Sequence, residues 1–408
     1  MKLKLISLAA AGLIASQANA GTVTTDGADI VIKTKGGFEA KTTDGKYSFK
    51  IGGRAMIDYN SYDDVINKAT GETGSDLFFR RARIEMKGHI EDWKYGLSYN
   101  LTGSGSIDQL KTTYTGFGKM ANLTIGQQKE NFGLDDTGSS KWTAGVERSF
   151  VSDAFDTGNN MGIKLHGAND FLTYSLGVYK EGTDSDNDLD TATTGRVVIR
   201  PIYSNGTVFH IGAGFTQRDG EFEDISSRLG VRGGEDKTAN KLKAEFTATA
   251  GGDIIPGEEL SAHNIELAFA SGPLQIMAEY FDGEVEAPSS VAGSDDIEVD
   301  GYYVQASYFL TGESRKYKTG SAAFDKVKPS NASGAWEIFG RMSQLNTDMG
   351  SNITLTGGED AQVTTLGVNY YMNSNVKFAL NYVNSETDAK IGTEDDGDAI
   401  VGRLQLVF

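Results

Sequence analysis

The 408 residues include no cysteine, which excludes a disulfide scaffold and any chemistry that needs a thiolate. Proline is nearly absent too, with five residues in the whole chain against 51 glycines and an aromatic share of 10%. That balance suits long strands and tight turns better than helices. Beyond residue 20, no stretch approaches the roughly 18 consecutive apolar residues of a membrane helix. Basic residues are in deficit, 38 against 56 acids, for a formal net charge of −18. A pI near 4.7 argues against a nucleic-acid partner.

The N-terminus carries a different kind of information. Lys2 and Lys4 precede an apolar run from Leu5 to Ile14, and Ala18-Asn19-Ala20 follows. A positive segment, a short greasy core and small residues at −3 and −1 form a secretory signal. Residues 1–20 are therefore expected to be removed, leaving an exported chain that starts at Gly21. Residues 21–45 then read as an N-terminal segment on the periplasmic side, and 46–408 as the main body.

Alternation with a period of two recurs throughout that body. In the first strand-like stretch Tyr47, Phe49, Ile51, Ala55, Ile57 and Tyr59 share one face, while Ser48, Lys50, Arg54 and Asp58 share the other. Around residue 97, Trp93, Tyr95, Leu97, Tyr99 and Leu101 oppose Lys94, Ser98 and Asn100. Sixteen such segments are expected, near 46–60, 77–90, 93–102, 109–117, 121–128, 160–167, 171–180, 193–201, 206–217, 262–271, 273–286, 299–311, 333–346, 361–372, 375–387 and 398–408. Short turns alternate with long connections between them. An even strand count, one tightly stitched side and aromatics near both ends of the apolar face point to an antiparallel transmembrane β-barrel. Two soluble β-domains would reproduce parts of the pattern, but no linker-like composition shift divides the chain. The exception is 312–332, a long basic connection on what should be the short-turn side.

The stretch LFFRRARIEMKG at 77–88 carries Arg80, Arg81 and Arg83. Strict alternation sets Ala82, Ile84 and Met86 against Arg81, Arg83, Glu85 and Lys87. Guanidinium groups cannot face lipid at the midplane, where each costs about 2–4 kcal/mol, so this row belongs to the lumen. The alternative is that Glu85 and Asp58 neutralise the row and the pore is an ordinary aqueous one. Nothing suggests an enzyme. His89, His166, His210 and His263 are scattered, the carboxylates from Asp184 to Asp190 lack the Gly and Glu of a calcium loop, and no phosphate-cradling glycine motif occurs. No cofactor or metal is expected.

Several segments together resemble the phosphate-selective porins, the porin O/P family: GTVTTDGADIVIKTKGG at 21–37, FFRRA at 78–82, DWKY at 92–95, TYTGF at 113–117, FGL and SSKW within 132–142, the Glu147-Arg148 pair, GAWE at 334–337 and TLGVN at 365–369. The resemblance runs from Gly21 to Phe408. It implies an all-β fold, a homotrimer of 16-stranded antiparallel transmembrane barrels of the outer-membrane porin type. It also implies a third loop folded inward, and a lumen that passes phosphate, pyrophosphate or other inorganic anions along a ladder of arginines. Arg54, Arg80, Arg81 and Arg148 stand where the family's ladder and constriction arginines stand, and Asp108 where it has a central acid. Lys141 matches a loop lysine, and Arg228 and Arg232 match the lower arginines of the fifth loop. Arg83 and Lys129 occupy places where the family has tyrosines. Asp224, Ser226, Gln127 and Asp136 replace basic residues. These departures leave anion passage intact but put the preference for phosphate in question, so a weakly selective porin for small solutes is the competing expectation.

Overall fold

The computed structural model describes residues 21–408 except 24–26, 35–36, 64–73, 182–188, 205, 233–240, 248–252, 292, 349, 351–352, 357–358 and 389–394. The signal-like segment 1–20 and most of the acidic run 184–190 lie outside the described residues. Sixteen strands, numbered here around the barrel, form the wall. They are β1 Tyr47–Asp63, β2 Gly74–Ile90, β3 Trp93–Asn100, β4 Ser106–Tyr114, β5 Asn122–Lys129, β6 Asn159–Ala168, β7 Leu172–Lys180 and β8 Thr191–Ser204. The remainder are β9 Thr207–Phe222, β10 Gly257–Ser271, β11 Leu274–Val285, β12 Ile297–Phe309, β13 Ala335–Thr347, β14 Asp360–Tyr371, β15 Val376–Asp388 and β16 Asp395–Val407.

Each strand pairs antiparallel with the next, and β16 returns to β1 with Asp398 opposite Asp63 and Val407 opposite Arg54. Closure leaves the wall without an edge, which a lipid-exposed sheet requires because the bilayer offers no hydrogen-bond partners. Three short strands at 21–23, 30–33 and 38–42 precede the barrel, and the last pairs with the start of β1 beneath the seam. There Phe408 exchanges backbone hydrogen bonds with Gly53 at 2.8 and 3.1 Å. A Cβ on Gly53 would sit 2.7 Å from the Phe408 ring, so only glycine lets the terminal aromatic close the seam.

The wall is inside out relative to a soluble sheet. Along β16, Ile400, Leu404 and Leu406 are exposed while Arg403 and Gln405 are buried. Exposed Tyr47, Trp93, Tyr308 and Trp336 lie toward the short-turn end, and exposed Tyr59, Tyr99, Tyr280 and Tyr382 toward the other, with Ile, Leu, Val and Met between them. This is an apolar band between two aromatic girdles.

Register shifts interrupt strict pairing at four places in the described wall, and the one between β1 and β2 matters most for the lumen. Met56 faces Arg81 but Ile57 faces Phe79, so Arg80 is an extra residue in β2. This β-bulge keeps Leu77 and Phe79 outward and turns both Arg80 and Arg81 into the lumen. Two adjacent arginines there would otherwise place one in lipid.

Three connections fill part of the interior. Residues 130–158, between β5 and β6, are the third connection on the long-loop side of the barrel and contain the short helices α1 Leu134–Thr137 and α2 Phe150–Ala154. Wall side chains donate to their carbonyls from the far side: Asn369 to Ala144 at 2.9 Å, Lys377 to Thr143 at 3.0 Å and Gln405 to Lys141 at 2.9 Å. Phe132, Val146, Phe150 and Val151 pack in one core with Leu229, Val231 and Phe246 of the 223–256 connection and the inner faces of β11 to β16. That connection also pairs with 353–356 in a three-stranded sheet of its own.

The basic connection 310–334 does not hang outside the barrel. It crosses the lumen as a small hairpin, 317–318 against 323–324. Arg196 donates to its Ser321 and Ala322 carbonyls at 2.9 and 3.0 Å, and the Tyr317 hydroxyl bonds His210 at 2.8 Å. Its length, unexplained by a turn, is accounted for as lumen filling.

Candidate functional site

These connections leave a cavity of about 1010 Å3 against the inner faces of β1 to β6. The barrel strands line it with Lys50, Arg54, Arg81, Arg83 and Lys87 from β1 and β2, then Lys94, Lys111, Lys129 and Lys164 from β3 to β6. The third connection adds Lys141 and Arg148, and the crossing hairpin segment adds Lys318 and Lys326. Thirteen cations thus face five carboxylates, those of Glu39, Glu85, Asp108, Asp156 and Asp325. A strongly positive lumen in an acidic chain is possible because selectivity depends on charge at the narrowest path, whatever the total.

The sequence-derived candidates divide by what they touch. Arg54 and Arg83 are opposite one another in register, two like charges that need compensation. Arg54 donates to Glu85 at 2.7 Å and to Ser140 at 2.8 Å. Arg83 donates to Asp108 at 2.7 Å, and Asp108 also accepts from Ser98 at 3.0 Å and Asn159 at 3.4 Å. Glu85 is shared further by Lys141 at 2.9 Å and Lys87 at 3.2 Å, so three cations share one anion and the group stays positive. Burial, and then the Arg54 guanidinium, push the Lys141 ammonium down to about 8 against the pull of Glu85.

Arg80 is spent on Glu147 in a two-pronged pair at 2.7 and 2.9 Å. The same carboxylate receives Arg403 at 2.9 Å and Arg232 at 3.3 Å. Burial alone would raise the Glu147 carboxyl, but Arg80 and Arg403 hold it well below the ordinary carboxylate range. Arg403 is itself clamped to Asp58 by two bonds of 2.7 Å. Arg232 also pairs with Asp153, and the Arg228 backbone N–H donates to Asp153 at 3.3 Å. Unlike Arg54 and Arg83, Arg80, Arg228 and Arg232 are not among the residues that line the cavity.

Lys129 bonds Asp136 at 2.5 Å. Arg148 reaches the same acid at 3.1 Å and donates to the carbonyls of Asp135, Asp136 and Gly138 at 2.8–3.0 Å. Its guanidinium thus braces the loop while facing the cavity. Arg81 differs from all of these. It lines the cavity and makes no ion pair among the described residues.

Sequence reasoning missed Lys87, Lys111, Lys164, Lys318 and Lys326 as site residues, along with Lys50 and Lys94. For the strand lysines the signal was present, since each lies on a polar face. For Lys318 and Lys326 the only signal was a basic turn of unusual length.

A profile of the phosphate-selective porin O and P family matches residues 49–408. Porin O of Pseudomonas aeruginosa is 39% identical over 433 aligned positions, covering 99% of this chain and 98% of that protein. Among solved structures, the anion-selective porin from Comamonas acidovorans superimposes with a TM-score of 0.55 at 10% identity, covering 89% of this chain and all of that one. The trimer form of OmpT from Vibrio cholerae gives 0.57 at 12% identity, covering 89% and 99%. At those identities the structural likeness speaks for the fold, and the family rests on the profile and on Porin O. On both grounds the chain belongs to the phosphate-selective porin O and P family.

Proposed function

We propose that this outer-membrane barrel is an anion channel that passes phosphate, or a larger oligophosphate, along the cationic wall of its cavity. The observation that carries the reading is the excess of thirteen cations over five acids along the lining of a chain whose net charge is −18. Guanidinium and ammonium groups at successive depths replace the water of an anion in steps. Arginine is the better partner for phosphate, because its planar fork binds two oxygens and is weakly hydrated. Asp108 adds a test that chloride fails, since a protonated phosphate can donate to it. The anion-binding set is Arg54, Arg81, Arg83, Asp108, Lys129, Lys141 and Arg148, with Arg80, Arg228 and Arg232 on the approach. The chain acts as a channel and not as an enzyme.

The same reading makes the working unit a homotrimer. Strands β3 to β7 run only 8 to 10 residues, against 12 to 17 for the others. A tilted strand needs about 9–11 residues to cross the bilayer, so this low arc of wall is suited to contact with a neighbouring subunit. Residues 21–45, at the short-turn end, lie on the periplasmic side.

A weakly selective pore is the second reading, and the pairing of Arg54, Arg80 and Arg83 with carboxylates favours it. Single-channel recording in planar bilayers separates the two. Under the first reading, reversal potentials in a salt gradient favour anions, and added phosphate or pyrophosphate blocks the chloride current in a saturable way. Anion preference without saturable block supports the second; cation preference overturns both.

A further inference from the structure

Glu279 on β11 is fully buried, lies outside the cavity lining and makes no ion pair among the described residues. Both its oxygens are nonetheless occupied. Oε1 accepts the backbone N–H of Leu134 at 2.6 Å and the Asn264 amide at 3.3 Å, while Oε2 accepts the N–H of Asp135 at 2.9 Å and the Tyr303 hydroxyl at 2.6 Å. Asn264 and Tyr303 belong to the neighbouring strands β10 and β12, so three strands build the cradle and the third connection closes it. We propose that Glu279 is a positioning residue, a latch that holds the third connection across the pore and thereby sets its width and its grip on anions.

A carboxylate buried without a counter-ion is tolerated only when its lone pairs are all engaged. Here half of the donors come from the loop, so its departure would leave two acceptor positions of a buried acid unpaired. The aromatic contacts nearby, Phe281 with Phe132 at 5.8 Å and with Phe155 at 5.2 Å, supply burial but little direction. Direction comes from the two N–H groups.

Gly133 makes the approach possible. It has a φ of +77°, and a Cβ there would lie 3.1 Å from the Glu279 oxygen and 3.2 Å from the Phe281 ring. From the latched backbone the coupling reaches the cavity in one step. The next residue, Asp136, receives Lys129 and Arg148, both of which line the cavity. The far limb, 141–147, is held separately by side chains of β13 to β16 that donate to its carbonyls.

The part of this inference that concerns anion grip rests on the proposed anion channel; the part that concerns width does not. The test therefore measures two quantities on outer-membrane protein that still shifts mobility on boiling. One is single-channel conductance in potassium chloride alone, and the other is the phosphate concentration that halves the chloride current. In Glu279→Ala, conductance should rise severalfold, and the half-blocking concentration should rise by about tenfold, the factor expected from losing one well-placed contact. Glu279→Gln, which keeps one acceptor oxygen for one of the two N–H groups, should fall between that variant and the natural protein. A folded Glu279→Ala barrel with natural conductance and block overturns the latch. If that variant does not assemble, Gly133→Ala perturbs the same contact from the loop side, and unchanged conductance there overturns it equally. A natural protein that phosphate does not block, with Glu279→Ala still raising conductance, supports the latch and removes the phosphate reading alone.

Discussion

Arg81 and Arg80 are adjacent in sequence, and the bulge points both into the lumen, yet they should respond to alanine in opposite ways. Arg81 lines the cavity without an ion pair among the described residues, so its charge is available to a passing anion and its removal leaves no carboxylate stranded. A charge-assisted hydrogen bond in a confined site contributes about 1.5–3 kcal/mol. At 1.4 kcal/mol per factor of ten, Arg81→Ala should raise the phosphate concentration for half-block of chloride current by about 10- to 100-fold. Barrel assembly should be unaffected. Arg80 is bonded twice to Glu147. Its removal leaves that buried acid to Arg403 and Arg232, so Arg80→Ala should lower the heat resistance of the assembled form and change block far less. Ile84, 38% exposed on the outer face, is the control, and Ile84→Ala should leave conductance and block unaltered. Planar-bilayer titration and gel mobility after graded heating read both effects. If Arg80→Ala and Arg81→Ala shift block equally with no loss of heat resistance, the division into spent and available arginines is wrong.

Arg83→Tyr exchanges a full charge for a neutral donor and frees Asp108 from its 2.7 Å partner. It should weaken block by pyrophosphate more than by phosphate, and adding Lys129→Tyr should widen the gap; an unchanged ratio in the double variant would show that these cations do not select the substrate. Lys141, with its pKa pushed down to about 8, is charged at pH 7 and largely neutral at pH 9. Anion preference measured by reversal potential should therefore fall across that window, and Lys141→Arg should make the fall smaller. Arg403→Ala strands the buried Asp58 carboxylate, a loss of about 3–5 kcal/mol for a broken buried pair, and should lower the temperature at which the barrel band converts on gels.

Much of this protein was legible from local pattern. The sixteen segments each correspond to one wall strand, because period-two alternation and turn chemistry are local signals that need no knowledge of the partner strand. The apolar-out, polar-in sense of the wall followed from the cost of arginine in lipid and the cations on the polar faces of β1 and β2 from the same alternation, whereas Lys141 and Arg148 of the third connection came only from the family resemblance. Boundaries were less legible. The strand expected at 206–217 runs to Phe222, and the one expected from 262 starts at Gly257, because pairing to a neighbour extends strands beyond their own signal.

Only the tertiary structure decided which charges are available. Glu85, Asp108 and Glu147 meet their arginines across separations of 25 to 67 residues, set by register around a closed wall and by a loop that crosses it. The bulge at Arg80 arises from pairing with β1, and alternation within β2 gives no sign of it. The basic connection 310–334 enters the lumen because Arg196 and His210 on distant strands, with Glu337 on the adjoining β13, receive it. Away from such bulges, local sequence determines which face a side chain occupies; what neutralises it there is a property of the folded barrel alone.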